Sequence, residues 1–445
     1  MHFKKRILFF VICLLVLSGC KNSFDESAIS AGNADFTHFV ALGGNYTAGF
    51  GDGALAYDIQ LNSYPAILAS RFALVGGGNF KQPIVNPGSG LAYDLNFNLL
   101  SKLTLTIAND CNGEQALVTS RSAGDPSNET WIGPSGPYNN LGVPGTKSFN
   151  LSQNTFGRDL PTGNPFFHRF ASNNVESSTI LSDAALVNPT FFVLWVGNED
   201  VWQYAKSGGI GDLDSIGLND ITPVSTFQSS YNGILSSLLA GNLSKGAIAN
   251  IPDIDCFPFF TAIPYNGLQL TKAEADALNA ISDTIFKEGA NAYVVYPPNS
   301  GNYRQLKEGE YVLMSVPMDS INCAGWGTPQ RPIPDNYILD STEVSNIREY
   351  TDAYNGIIAA ASSANGLAYV DMKEFFRKFK TTQLFNGVKY TSQYLRSSIF
   401  SLDGLYPNAR GHAHIANAFI RAINGKYMST LPQVDVNAYR GNTLP

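Results

Sequence analysis

Positive charge is in short supply in this sequence: 29 Lys and Arg stand against 36 Asp and Glu, a net charge of −7. Binding a nucleic-acid backbone needs a basic face, so this balance excludes nucleic acid as an expected partner. Cysteine is scarce, five in 445 residues, which excludes a disulfide-dense scaffold. No stretch after Leu17 is long and apolar enough to cross a bilayer, and no internal repeat is present. What remains is a chain with 44% hydrophobic and 15% charged residues, enough to bury a full core. Its length allows two or three domains, and fits a single α/β domain with long insertions equally well.

The N-terminus carries the strongest local signal. Lys4, Lys5 and Arg6 precede an apolar run from Ile7 to Leu17, too short for a stable span and typical of a secretory signal. It ends in Leu17-Ser18-Gly19-Cys20, which resembles the lipobox cut by the lipoprotein signal peptidase. The resemblance implies that 1–19 is removed and that Cys20 carries palmitate-type acyl chains. Each buried CH₂ adds about 0.8 kcal/mol of membrane affinity, so several chains on one residue give stable anchoring. Loss of 1–19 removes three positive charges and no acid, leaving a net charge of −10. Residues 20–34 are small and polar, as expected of a flexible tether. The expected location is the cell envelope, at the outer membrane, on a face the sequence does not specify. Three cysteines remain, Cys111, Cys256 and Cys323, which allow one bridge and one spare thiol without choosing the pair.

Further on, strand-like and helix-like segments alternate. Phe36 to Leu42 and Pro189 to Val196 read as buried strands, followed by Lys245 to Ile251 and Leu367 to Asp371. Helical spacing appears at Ser63 to Phe72, Thr226 to Ala240, Thr342 to Ser363 and Gly411 to Ile423. Thr271 with Glu274 three residues on forms a capping box for a helix running to about Phe286. Residues 75–137 read as a loop insertion with one strand-like run, Leu103 to Ala108, and Asn140 to Gly145 as a turn. Such alternation predicts a parallel sheet covered on both faces, with its site beyond the carboxyl ends of the strands. Three polar turns, 43–47, 197–200 and 403–406, are the places to look for chemistry.

Those turns carry a family resemblance. Phe39-Val40-Ala41-Leu42-Gly43-Gly44-Asn45-Tyr46-Thr47-Ala48-Gly49 resembles the first block of the SGNH (GDSL-type) hydrolases, and Asn140 to Gly145 the second. Gly197-Asn198-Glu199-Asp200 resembles the third block, Gly-x-Asn-Asp. Leu402-Asp403-Gly404-Leu405-Tyr406-Pro407 resembles the last, Asp-x-x-His-Pro. Four blocks in family order imply a three-layer α/β/α sandwich around a parallel sheet of about five strands. The implied layout is a domain over 35–430, insertions at 75–137 and 287–340, and a tail at 431–445.

The resemblance also implies a site stripped of its reactive groups. Asn45 stands where the family has its nucleophilic serine, and a carboxamide offers no hydroxyl or thiol for a base to activate. Glu199 replaces an asparagine that donates to the oxyanion. A carboxylate only accepts, and about 4 Å from an oxyanion it repels by roughly 1–4 kcal/mol. Tyr406 replaces the histidine base, and a phenol with a pKa near about 10 is a poor one. Asp403 and Gly145 are retained. Losing nucleophile or base alone lowers turnover about 10⁶-fold in serine hydrolases.

A relocated base is a weaker reading: His412 and His414 lie on the final helix, where a surface or capping role is expected. A Glu199–Asp403 carboxylate pair for acid–base work is set against an inert trio, in which Glu199 accepts from both the Asn45 amide and the Tyr406 hydroxyl. Glu199, Asp200, Asp403 and His412 lack metal-ligand spacing, so neither metal nor cofactor is expected. Trp202 and Tyr204 are candidates to line a pocket. Three functions follow: a lipoprotein binding an acyl chain, a glycan or an outer-membrane protein; an esterase with a non-standard constellation; or a structural subunit of an envelope complex. Cys20→Ser is expected to abolish palmitate labelling and move the protein from the membrane to the soluble fraction, read by fractionation and immunoblot.

Overall fold

The computed structural model describes residues 28–445, apart from 95, 112, 159–162, 174–176, 241–243, 297–302 and 397. The expected signal sequence, Cys20 and residues 20–27 of the expected tether lie outside the described residues. Five strands form the central sheet: β1 (Phe39–Gly43), β2 (Asn140–Gly142), β3 (Phe191–Trp195), β4 (Lys245–Ala249) and β5 (Ala368–Val370). Their order is β5-β4-β3-β1-β2, and every neighbouring pair is parallel. The apolar run in β3 is buried along its whole length, as a strand covered on both faces must be. The chain leaves β1 toward β2 on one side and then fills β3, β4 and β5 on the other. The crevice at that reversal, beyond the carboxyl ends of β1 and β3, is where open α/β sheets hold ligands.

Helices cover both faces, making the three-layer α/β/α sandwich the motifs imply. On one face α2 (Tyr64–Phe72) packs against the long final helix, Ala409–Tyr427, here α7. Tyr64 stacks on Phe419 with ring centroids 4.8 Å apart and meets Trp195 of β3 edge-on at 5.7 Å. On the other face α4 (Val224–Leu238) packs against α5 (Ser341–Asn365), where Phe227 stacks on Tyr354 at 4.1 Å. A reciprocal Asp340–Glu343 capping box starts α5. Between β1 and α2 lies the short α1 (Asn45–Ala48), and α3 (Asn198–Lys206) follows β3. The helix α6 (Met372–Phe379) follows β5.

Several sequence expectations shift. Asn140–Gly142 is not only a turn: it pairs with β1 as an edge strand, held by Asn140 Nδ2 donating to the Thr47 carbonyl at 2.9 Å. The helix capped by Thr271 stops at Asn279 instead of running to Phe286. Residues 28–34, read as tether, are docked on the end of α7: Asn33 N donates to the Tyr427 carbonyl (2.8 Å), and Ala34 is buried. Beyond α7, Leu431, Val434 and Val436 of the expected tail enter the core, and Asn417 exchanges two hydrogen bonds with the Val434 backbone.

The insertions are structured. Residues 75–137 contain an antiparallel ribbon, Thr104–Asn109 with Gln115–Ser120, that projects into solvent. Residues 287–340 form a small core of their own around Val295, Val312, Ile333 and Ile338. A disulfide joins the two, Cys111 to Cys323, with Cα atoms 6.1 Å apart and 212 residues between them in sequence; Cys256 is buried and free. A bridge closing so long a loop restricts the unfolded chain strongly. Cys111→Ser/Cys323→Ser is expected to lower stability by about 2–4 kcal/mol, read as a reduced urea midpoint that reducing agent reproduces in the unaltered protein.

Candidate active site

Asn45 is set at the carboxyl end of β1 by a turn that only glycine permits. A Cβ on Gly43 would lie 2.2 Å from Thr47 Oγ1 and 2.5 Å from the Trp195 carbonyl of β3. Thr47 then shares a hydrogen bond with the Tyr64 hydroxyl at 2.8 Å, tying α1 to α2. Asn45, only 6% exposed, faces the chain after β2, and its Oδ1 accepts the Gly145 N–H at 2.8 Å. That backbone N–H is the one the family resemblance assigns to the oxyanion. Asn45 Nδ2 points away from this bond and has no acceptor among the described residues.

Beyond β3 the chain turns at Gly197 in left-handed conformation (φ 109°), where a Cβ would meet Ile251 at 2.6 Å. This launches α3 with Glu199 and Asp200 in its first turn, both buried. Glu199 Oε1 accepts from the Tyr406 hydroxyl at 2.8 Å, and Oε2 pairs with Lys206 Nζ at 2.9 Å. Lys206 Nζ also lies 3.3 Å from the Tyr406 hydroxyl oxygen. Burial, reinforced by the Glu199 carboxylate, holds the Tyr406 phenol far above its usual range, so it stays protonated and donates.

The trio expected around Glu199 from the sequence has a different third member. Asn45 does not reach Glu199; Lys206 does. The amide oxygen accepts instead from the Gly145 N–H, which gives that partly buried backbone donor a partner. Lys206, missed by the sequence reading, lies seven residues after Glu199, two helical turns along the same face of α3, and that spacing was the available signal.

Asp403 is fully engaged with backbone. Oδ1 accepts from Leu405 N (2.9 Å) and Tyr406 N (2.8 Å), and Oδ2 from Gly53 N (2.8 Å), so the carboxylate staples the 403–406 turn. Burial nevertheless raises its pKa. This engagement leaves no free Glu199–Asp403 pair for acid–base work. Asp200 accepts from both Oγ and N of Ser148, 2.7 and 2.8 Å away. His412 is not a surface residue. It is completely buried, its Nδ1 accepts the first backbone N–H of α2, from Tyr64, at 3.2 Å, and burial lowers its pKa to about 3. Glu199, Asp200, Asp403 and His412 thus each face a different partner and do not converge on one point.

Above Asn45 and Gly145 opens a cleft of about 920 Å³. Phe50, Phe149, Phe156 and Phe166 line it, and Phe97, Ile216 and Leu218 at its mouth are about half exposed or more. Lys147 reaches its wall, but its ammonium already donates to the Gly217 and Asp220 carbonyls at 2.7 Å each. Trp202 and Tyr204, expected to line a pocket, are core residues: Trp202 is fully buried against Phe257, with ring centroids 4.8 Å apart. The phenylalanines around 149–166 carried no motif in the sequence, so the cleft walls were not foreseen.

A parallel sheet of this order, with motif turns at the ends of β1, β2 and β3 and a fourth before α7, defines a GDSL-type hydrolase fold. The sequence matches the GDSL-like lipase/acylhydrolase family over residues 116–419, and the chain belongs to that family. The match begins beyond Asn45, so the place of the first block rests on the geometry of β1. No curated protein matches the sequence. Among solved structures, similar chains include LAE5, an alpha/beta hydrolase enzyme from the metagenome of Lake Arreo, Spain. It is 12% identical with a TM-score of 0.37, over 88% of this chain and 96% of that one. An extracellular lipase from Streptomyces rimosus is 9% identical with a TM-score of 0.33, over 87% and 98%. Likenesses this distant carry no weight beside the family match.

Lys206→Met leaves the Glu199 carboxylate buried with only the Tyr406 hydroxyl. It is expected to destabilise the protein by about 2–4 kcal/mol, less than for a fully buried pair because Lys206 is partly exposed. Glu199→Gln/Lys206→Met is expected to recover most of that loss in urea unfolding. Equal losses in the single and double variants would contradict the coupling.

Proposed function

We propose that this protein is a lipid-anchored envelope protein that binds a ligand in a hydrolase-derived cleft without cleaving it. The observation that carries the reading is the bond from Gly145 N–H to Asn45 Oδ1. A side-chain oxygen of the protein itself sits on the donor that an acyl-transfer site reserves for developing charge. The residue supplying it has no nucleophilic atom, and Tyr406 is a protonated phenol where a base is needed.

The open cleft favours ligand binding over a purely structural role. Tyr406 and Glu199 are sealed beneath the floor, so they do not fill the space above Asn45. Its largely aromatic and aliphatic lining favours an acyl chain over a glycan or a protein segment. The free Asn45 Nδ2 offers a hydrogen bond to a carbonyl or hydroxyl oxygen at the floor. Anchoring through Cys20 would hold this cleft close to the membrane, most simply the outer membrane.

Hydrolysis of p-nitrophenyl acetate and p-nitrophenyl decanoate tests the reading. The unaltered protein is expected to stay at the uncatalysed background, and Asn45→Ser/Glu199→Asn/Tyr406→His to rise above it. Turnover by the unaltered protein that disappears in Asn45→Ala would overturn the proposal.

A further inference from the structure

A second pocket, of about 470 Å³, lies at the β5 edge of the sheet, remote in the fold from the Asn45 turn. It is walled by β5, α6, α7 and the hairpin of Gln383–Phe385 with Val388–Tyr390. His414 of α7 lines it. The side chain is only 8% exposed, yet neither ring nitrogen has a hydrogen-bond partner among the described residues, and Nε2 is sealed from solvent. Leaving such a group unsatisfied costs about 1–3 kcal/mol.

The surroundings of this imidazole are aromatic. Phe379, Phe385 and Tyr390 stand edge-on to it, with ring centroids 5.2, 5.8 and 4.7 Å away. Burial and the nearby Arg421 keep the ring neutral, with a pKa lowered to about 4. At neutral pH it therefore presents one N–H donor and one lone pair.

Arg421 lies two helical turns further along the same face of α7 and also lines the pocket. Its Nη1 donates to Gln433 Oε1 at 2.9 Å, and no carboxylate lies within ion-pair distance of it among the described residues. The two acids at the rim are otherwise occupied. Asp371 accepts from Asn250 Nδ2 and the Glu374 backbone N–H, and Glu374 is paired with Arg377. The pocket thus combines an unpaired guanidinium, an unsatisfied neutral imidazole and an apolar wall of Phe375, Phe385, Ala418 and Ala422. Leu384, 69% exposed, stands at its edge.

We propose that this pocket is a second binding site, for a small amphipathic carboxylate. The carboxylate pairs with Arg421 and accepts from the His414 Nδ1–H, the ring nitrogen that is not sealed from solvent, while the apolar body lies along the aromatic wall. Lys378, whose ammonium lies 4.0 Å from Glu374, also lines the pocket, so the anionic end meets two cations while the apolar wall selects for a ligand with an apolar body. The site shares no residue with the cleft above Asn45, so it stands or falls independently of the reading proposed for that cleft.

The test uses the full chain and decanoate as probe, with decanol as its uncharged counterpart. The ring resonances of His414, assigned by their loss in His414→Phe, report on this pocket alone by NMR. Decanoate is expected to shift them saturably, decanol at least tenfold more weakly, and Arg421→Gln to weaken the decanoate response at least tenfold. Arg421 is exposed, so that variant is expected to fold. The proposal is overturned if decanoate leaves the His414 signals unmoved at millimolar concentration. It is equally overturned if decanol matches decanoate and Arg421→Gln changes nothing, which would mark a merely apolar pocket.

Discussion

One hydrogen bond organises the centre of this molecule: the Gly145 N–H, at the end of an edge strand, donated to the side-chain oxygen of Asn45, at the end of the neighbouring strand. Preorganised backbone donors of this kind contribute most of their catalytic effect when they meet charge that appears only in a transition state. Here the donor already has a permanent, neutral acceptor inside the protein. The same bond joins the turns after β1 and β2 and fixes the floor of the cleft. Under the proposed reading, a contact that an acyl-transfer site would keep open serves stability instead.

The rest of the site is consistent with that constraint. A carboxylate beneath the floor would be costly to bury alone, and Glu199 is held by Lys206 on one oxygen and the Tyr406 hydroxyl on the other. Asp403 is satisfied by three backbone N–H groups and needs no imidazole. Each retained or substituted polar group has found an internal partner, as buried polar groups must. Asn45 Nδ2 is left without an acceptor among the described residues, Asn198 Oδ1 in the third motif turn and Thr146 Oγ1 beside Gly145 are likewise without partners there, and Asn45 lines the cleft. Around it Phe50, Phe149, Phe156 and Phe166, with Phe97 and Leu100 of the first insertion, supply an apolar wall, and the Cys111–Cys323 bridge ties that insertion to the other.

The sheet was legible because its signals are strong and local. A run such as Phe191–Trp195 has few other ways to be buried, and the glycines at 43 and 197 mark turns that a side chain would block. The positions of Asn45 and Glu199 followed from motif turns at the ends of those strands, and those of Asp403 and Tyr406 from the turn before α7. What the motifs did not carry was pairing. Whether the Asn45 amide turned to Glu199 or to Gly145 depended on how separate strands set their turns against one another, and Lys206 entered only through helical periodicity. The disulfide choice among three cysteines and the burial of His412 depended on contacts between segments more than 200 residues apart. The docking of 28–34 onto α7 was hidden for the same reason, since polar composition alone does not distinguish a tether from a strap.

The central claim is that Asn45 occupies the Gly145 donor, and amide hydrogen exchange at Gly145 measures it most directly. The account predicts that this N–H is protected in the unaltered protein and loses most of its protection in Asn45→Ala, while neighbouring amides of β1 and β2 keep theirs. Rapid exchange at Gly145 in the unaltered protein, or protection that Asn45→Ala leaves intact, would contradict it.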